Sequence, residues 1–351
     1  MERSERIAGC LLGGAAGDAL GAPVEFMSTG EIRSNFGIGG IEHYAPAYGK
    51  VGAITDDTQM TLFTLEGLLR THTRGYHKGI ASHEDCVRYA YMRWLGTQGT
   101  LIKNDSLSFV YEGWLWKQNL LHSRRAPGNA CLSSLMLHLS RIEQDDYSIR
   151  SEPINDSKGC GGVMRMAPVG FFDVDCFQVG CELAKLTHGH PSGYLASGFL
   201  AQLIREIMKE SRLENAIELA RRVLLQWPEN QEVLRAVNQA LEFAANEEAT
   251  PETIERLGGG WVAEEALAIS LFCALKAESF EHGVRLAVNH GGDSDSTGAI
   301  TGNILGSLCG HRDIPADFLL DLELRDVIEQ MAWDVVNFDY TDEWWDRYPG
   351  T

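Results

Sequence analysis

An all-α fold, closed as a single multi-helix domain over residues 1–351, is what the sequence predicts. Three observations carry this expectation. Apolar residues recur at three- and four-residue steps along most of the chain, and no stretch alternates with a convincing period of two. Two similar acidic motifs stand near opposite ends, "AITDDTQM" at 53–60 and "GGDSDSTGAI" at 291–300. If they serve one site, the chain must close on itself, with helices of unequal length rather than as a simple four-helix bundle.

In chain order, Thr55 is placed to cap a helix that carries Asp56 and Asp57 in its first turn and Leu62, Leu65, Leu68 and Leu69 along one face. Leu183, Ala184 and Leu186 repeat the helical spacing, and after a break so do Leu195, Phe199 and Leu203. Residues 212–227 and 230–245 read as two amphipathic helices around Pro228, and 261–277 as a more buried one. A helix over 279–290 starts at the capping Ser279 and ends before Gly291 and Gly292. "GGIEHYAP" is at best a short extended stretch. Glycine- and proline-bearing connections at 36–40, 125–130, 157–162 and 257–260 are too short to be interdomain linkers.

Composition narrows the function. Hydrophobic residues make up 44% and charged residues 23%, ordinary globular proportions. A formal net charge of −19 argues against a generic nucleic-acid or anionic-membrane binder, because phosphate-rich surfaces need a basic partner. The eight cysteines show no CxxC pair or zinc spacing and read as free thiols. The apolar start is interrupted by Asp18 and has no cleavage pattern, and no run of 18 apolar residues occurs. A cytoplasmic monomer is the expectation.

The chemistry lies in the two acidic motifs. Asp56 and Asp57 suit a helix N-terminus on electrostatic grounds alone. Set beside Thr55, they are also a compact group of hard oxygen ligands for Mg²⁺ or Mn²⁺. Asp293, Asp295 and Ser296 repeat the design after two glycines. An EF-hand loop is excluded because Ile304 stands where its bidentate glutamate belongs. Four carboxylates in one place repel one another, and two divalent cations would neutralise them. No histidine or thiolate cluster favours zinc. Asp18 lies among small residues, and Glu25 follows Pro23 in a loop. "SKGCGGVMRMAP" (157–168) and "LTHGHPSG" (186–193) add glycines whose N–H groups could approach phosphates.

Taken in order, "GDALGAPVEF", "TDDTQMTLF", "RAPGNACLSSL", "SKGCGGVMRMAPVG", "LTHGHPSGYLASG", "GWVAEEALAISLFCAL" and "NHGGDSDSTGAITGNILG" resemble the ADP-ribosylglycohydrolase family, and the likeness runs to the "WWDRYPG" ending. The resemblance implies an all-α fold with a di-metal cleft holding two Mg²⁺ or Mn²⁺ ions. It implies a metal-dependent hydrolase that removes ADP-ribose from modified proteins, foremost from arginine at its N-glycosidic bond. Carried over by position, Thr55, Asp56, Asp57, Asp293, Asp295 and Ser296 match the metal ligands. Glu25, Asp56 and Asp295 match the catalytic acids, and Gly161, Gly162, Val163, Met164 and His188 match the ADP-ribose contacts. Cys160 stands where some members have Asn, and Ser296 where many have Thr. Serine-, nucleic-acid- or small-molecule-linked ADP-ribose, a non-catalytic binding or structural protein on the same scaffold, and a role in toxin immunity stay open at this level.

Overall fold

The computed structural model describes residues 1–100, 105–143, 154–209 and 212–350. Among these, α-helices run as α1 (Arg3–Gly21), α2 (Thr29–Phe36), α3 (Asp56–Lys78), α4 (His83–Thr97), α5 (Asn129–Glu143), α6 (Cys176–Lys185), α7 (Pro191–Lys209), α8 (Leu213–Leu224), α9 (Gln231–Asn246), α10 (Pro251–Glu255), α11 (Ala263–Lys276), α12 (Phe280–Val288), α13 (Ser294–Cys309), α14 (Ala316–Leu320), α15 (Arg325–Val336) and α16 (Asp342–Arg347). No strand forms among the described residues, which hold only isolated bridges at Ala47/Lys50 and Gly159/Val262. The fold is all-α, as the periodicity predicts. "GGIEHYAP" is pinned by a side chain instead of a sheet: Asn289 accepts from Ile41 N at 2.7 Å and donates to Ile41 O at 3.0 Å.

Helix ends follow local chemistry. Thr55 caps α3 by accepting from Asp57 N, and Ser279 caps α12 by accepting from His282 N. Gly79 closes α3 in the left-handed conformation that glycine adopts freely.

The centre of the molecule is an antiparallel pairing of α1 with α13, helices from opposite ends of the chain. Gly9, Gly13, Gly17 and Gly21 form one stripe of α1 at four-residue spacing. Gly306, Gly302, Gly298 and Ser294 form the matching stripe of α13. The backbones touch. A Cβ on Gly302 would lie 2.0 Å from Gly13 O, one on Gly306 1.9 Å from Gly9 O, and one on Gly17 2.0 Å from Gly298 O. Only glycine allows this approach, and it sets Asp18 of α1 beside Asp295 of α13. Helices α3, α7, α11, α12 and α15 surround the pair. The main core runs from Ile7 to Tyr348. Its polar tips are met: Trp94 Nε1 donates to Gln59 at 3.0 Å and Trp344 Nε1 to Thr73 at 2.8 Å. No helix among the described residues is long and apolar enough to cross a membrane.

Candidate active site

The two acidic motifs meet at one cleft of about 260 Å³. Its lining includes Glu25 from the loop after α1, Asp56 and Asp57 from the first turn of α3, and Asp293, Asp295 and Ser296 from the start of α13. Oxygens of Glu25, Asp293 and Asp295 lie within 4.8 Å of one another. All six side chains are buried, and no lysine or arginine lines the cleft among the described residues.

Three buried groups fix the first turn of α3. Asp18 accepts from Thr55 N at 3.0 Å, from Thr58 N at 3.1 Å and from Thr58 Oγ1 at 2.5 Å. It thereby ties α1 to the otherwise unpaired N–H groups of α3. Behind this turn, Arg125 makes a two-pronged ion pair with Glu323. Arg125 Nη1 also donates to Ile54 O at 2.7 Å, and Asp56 N donates to Arg125 O at 3.2 Å. On the other side, Asp293 N donates to Gly259 O at 2.8 Å, and Ser296 N donates to Asp295 Oδ1 at 2.9 Å.

Crowding governs the electrostatics. Burial first, then the charge of Asp295, pushes Glu25 up to about 10 and Asp18 up to about 7. Asp56, Asp57 and Asp293 are held well above the carboxylate range by the same two causes in the same order. Two carboxylate oxygens, Glu25 Oε2 and Asp57 Oδ1, are buried without a hydrogen-bond partner. Hard oxygen donors without a basic neighbour, two of them orphaned, are the donor set that a divalent cation of the Mg²⁺ or Mn²⁺ kind requires.

The structure distributes the other predicted residues unevenly. Gly161, Met164 and His188 line the cleft. Gly162 and Val163 do not; both are buried, and a Cβ on Gly162 would meet Ser197 Oγ at 3.1 Å. Thr55 is buried beside Asp57 and outside the lining, with its hydroxyl 3.4 Å from Asp57 Oδ2. His188 faces the cleft as a neutral ring: burial, then Arg165, lowers it to about 3. Cys160 places its thiol 2.7 Å from Asp293 Oδ2.

Several residues at the site escaped the sequence reading. Asp18 drew notice without a role, while Arg125, Glu323 and Trp261 drew none as individual residues. Trp261 stacks on Phe26 at the rim, with ring centroids 5.8 Å apart. For Asp18 a signal was present: the four-residue glycine spacing in both 9–21 and 298–310 marks two helices that touch, and Asp18 follows one of those glycines.

The fold and the cleft define a class: all-α proteins that gather a carboxylate cluster between helices from opposite ends of the chain. The model of the ADP-ribosylglycohydrolase family matches residues 1–344, and the chain belongs to that family. The chain is 26% identical over 332 residues to an ADP-ribosyl-[dinitrogen reductase] glycohydrolase of Rhodospirillum rubrum, covering 92% of this chain and 91% of the relative. It is 23% identical over 336 residues to the ADP-ribosylarginine hydrolase Tri1 of Serratia proteamaculans, covering 94% and 79%. A solved ADP-ribosylglycohydrolase-related protein complex superposes with a TM-score of 0.61 at 25% identity, covering 95% of this chain and 98% of that one. Membership makes the protein a hydrolase of ADP-ribose linkages.

Proposed function

We propose that the cleft removes ADP-ribose from modified arginine side chains of proteins by hydrolysing the N-glycosidic bond at C1″. One observation carries the reading: five buried carboxylates of Glu25, Asp56, Asp57, Asp293 and Asp295 face one cleft with no lysine or arginine among its described lining residues. Asp56, Asp57, Asp293 and Asp295, with the hydroxyls of Thr55 and Ser296, are the groups that would hold two divalent cations. When bound, such ions activate water and bind ribose hydroxyls.

The chain's own residues supply the rest. Departure of the guanidine leaves positive charge on the ribose, and the carboxylates of Asp56 and Asp295 stabilise it through space. Glu25, whose Oε2 has no partner, moves the proton between the attacking water and the leaving nitrogen. The glycines at 159 and 161 let the 158–164 segment approach His188 and Cys131 closely; a Cβ on Gly161 would lie 2.9 Å from Cys131 Sγ. This shapes the wall against which ADP-ribose rests. The exposed rings of Phe26 and Trp261 at the rim suit the flat face of a guanidinium, and so does the acidic interior. The name of the Serratia relative specifies ADP-ribosylarginine, and that of the Rhodospirillum relative a modified protein.

The test is release of ADP-ribose from arginine-, serine- and DNA-linked substrates, each with Mg²⁺, Mn²⁺ or chelator. Release from arginine with either ion, and none with chelator, is expected. Preferential release from serine or DNA would overturn the arginine assignment, and full activity in chelator the metal dependence.

A further inference from the structure

A second cavity, of about 290 Å³, lies between α3 and α4, with Arg70, Arg74, Ser82, Arg93 and Phe109 in its lining. It belongs to the far half of the helix that begins with Asp56 and Asp57. Arg70 is fourteen residues on from Asp56 along α3, roughly 21 Å at ~1.5 Å per residue.

The charges at this cavity do not balance. Arg70 and Arg93 are buried and share one carboxylate. Glu66 accepts from Arg70 Nη2 at 3.1 Å and from Arg93 Nε at 2.8 Å. Among the described residues their other hydrogen bonds go to neutral carbonyls, Arg70 Nη2 to Glu112 O at 2.7 Å and Arg74 Nη1 to Gly350 O at 3.2 Å. Asp85 also lines the cavity, but it pairs with Arg88, which Glu84 neutralises as well. Among the described residues, three guanidinium groups are met by Glu66 and by the one negative charge that Arg88 leaves on the Glu84–Asp85 pair, so positive charge stays in excess. Arg70 Nε and Arg93 Nη2 are buried with no hydrogen-bond partner. The excess shows in Arg93, whose affinity for its proton is lowered to about 10 by burial and then by Arg70. Concentrated positive charge of this kind stands out in a chain of net charge −19.

Buried guanidinium groups with unused N–H donors are costly unless a matching anion completes them, and their planar forks fit tetrahedral oxyanions. We propose that this cavity is an anion site that takes a phosphate group, with Arg70, Arg74 and Arg93 as its donors. The excess positive charge and the unused donors of Arg70 and Arg93 match a phosphate group in sign and in hydrogen bonding. The inference is independent of the catalytic reading, because the cavity shares no lining residue with the acidic cleft.

Isothermal titration calorimetry on the full chain, freed of divalent ions and held at constant ionic strength with chloride, tests it. Inorganic phosphate and O-phosphoserine are titrated separately. Wild-type protein should bind inorganic phosphate at one saturable site; binding of phosphoserine as well would extend the site to phosphomonoesters, while phosphate alone would assign it to the free anion. Arg74→Gln, a change at a half-buried position, should weaken binding at least tenfold. Arg93→Met should abolish it and should also remove the rise in melting temperature that phosphate gives the wild type. Should Arg93→Met fail to fold, the Arg74→Gln titration decides alone. No saturable heat with either titrant, or equal affinity in the wild type and the Arg variants, overturns the proposal.

Discussion

Replacing Gly302 with alanine tests the central seam. Its new Cβ would lie 2.0 Å from Gly13 O, where ordinary contact begins at 3.4 Å, so α1 and α13 must separate by 3.4 − 2.0 = 1.4 Å or bend. The obstruction is backbone against backbone, and no rotamer change relieves it. Overpacking of this kind costs about 1–3 kcal/mol, and a rigid obstruction belongs at the upper end, about 3 kcal/mol. Since ~1 kcal/mol moves the midpoint of a large domain by ~2 °C, the melting temperature should fall by about 6 °C. Gly75→Ala is the control. Gly75 is also helical, but its added Cβ has only Ala81 Cβ near it, at 4.0 Å, so the change should stabilise by about 0.5–1 kcal/mol through helix propensity. Because the seam sets Asp295 against Asp18 and the first turn of α3, Gly302→Ala should also slow turnover about a hundredfold even well below its midpoint. Thermal unfolding by circular dichroism and ADP-ribose release at a temperature where both variants are folded give the two readouts. A Gly302→Ala protein as stable and active as Gly75→Ala would refute the account of the seam.

Asp295→Asn should reduce turnover about a hundredfold or more while leaving the cation-free melting temperature unchanged or higher, because it removes a charge from a crowded cluster; a large loss of cation-free stability would count against this. Glu25→Ala should lower kcat and kcat/KM together with little change in metal affinity, as steady-state kinetics paired with calorimetric metal titration would show. Without divalent ions, stability should fall as pH rises. Glu25 is raised from 4.5 to about 10 and Asp18 from 3.8 to about 7, so the folded chain holds more protons than the unfolded one. Their contribution is complete below the ordinary carboxylate range and is lost as pH climbs through these folded values. Melting curves between pH 5 and pH 9 in chelator should show this slope and saturating Mg²⁺ should flatten it; a flat profile in chelator would contradict it. Glu323→Gln should cost about 3–5 kcal/mol, since it leaves the Arg125 guanidinium buried without its countercharge, and chemical denaturation would measure the loss.

The parts of the fold and site that could be read in the sequence are those that local chemistry encodes. The spacing of Leu62, Leu65, Leu68 and Leu69 fixes a helix face, and Thr55 caps that helix in the structure as its position predicts. Helices α8, α11 and α12 lie within the stretches that periodicity marks, and α9 runs one residue past its stretch, to Asn246. Short helices such as α2, α10 and α14 carry too few turns for a periodic signal. The acids of both motifs were legible because carboxylates among small residues are unusual in themselves. Arg125 and Glu323 were not, because an ion pair across nearly two hundred residues leaves no local pattern. Gly162 and Val163 show the converse limit: a motif names a segment, while side-chain direction, set by the turn at 160–162, decides which members reach the cleft.

The glycine seam also sets the order in which a new chain can mature. Helix α1 is made well before its partner, which follows nearly 300 residues later. At ~5–20 residues per second, that is a delay on the order of tens of seconds. Throughout that time a stripe of bare backbone flanked by leucine and alanine has no mate. The seam and the acidic cleft can close only once α13 has been made, so a chain cut short before Asp293 lacks both its central pairing and two of the five cleft acids. Catalytic competence therefore waits on the making of α13.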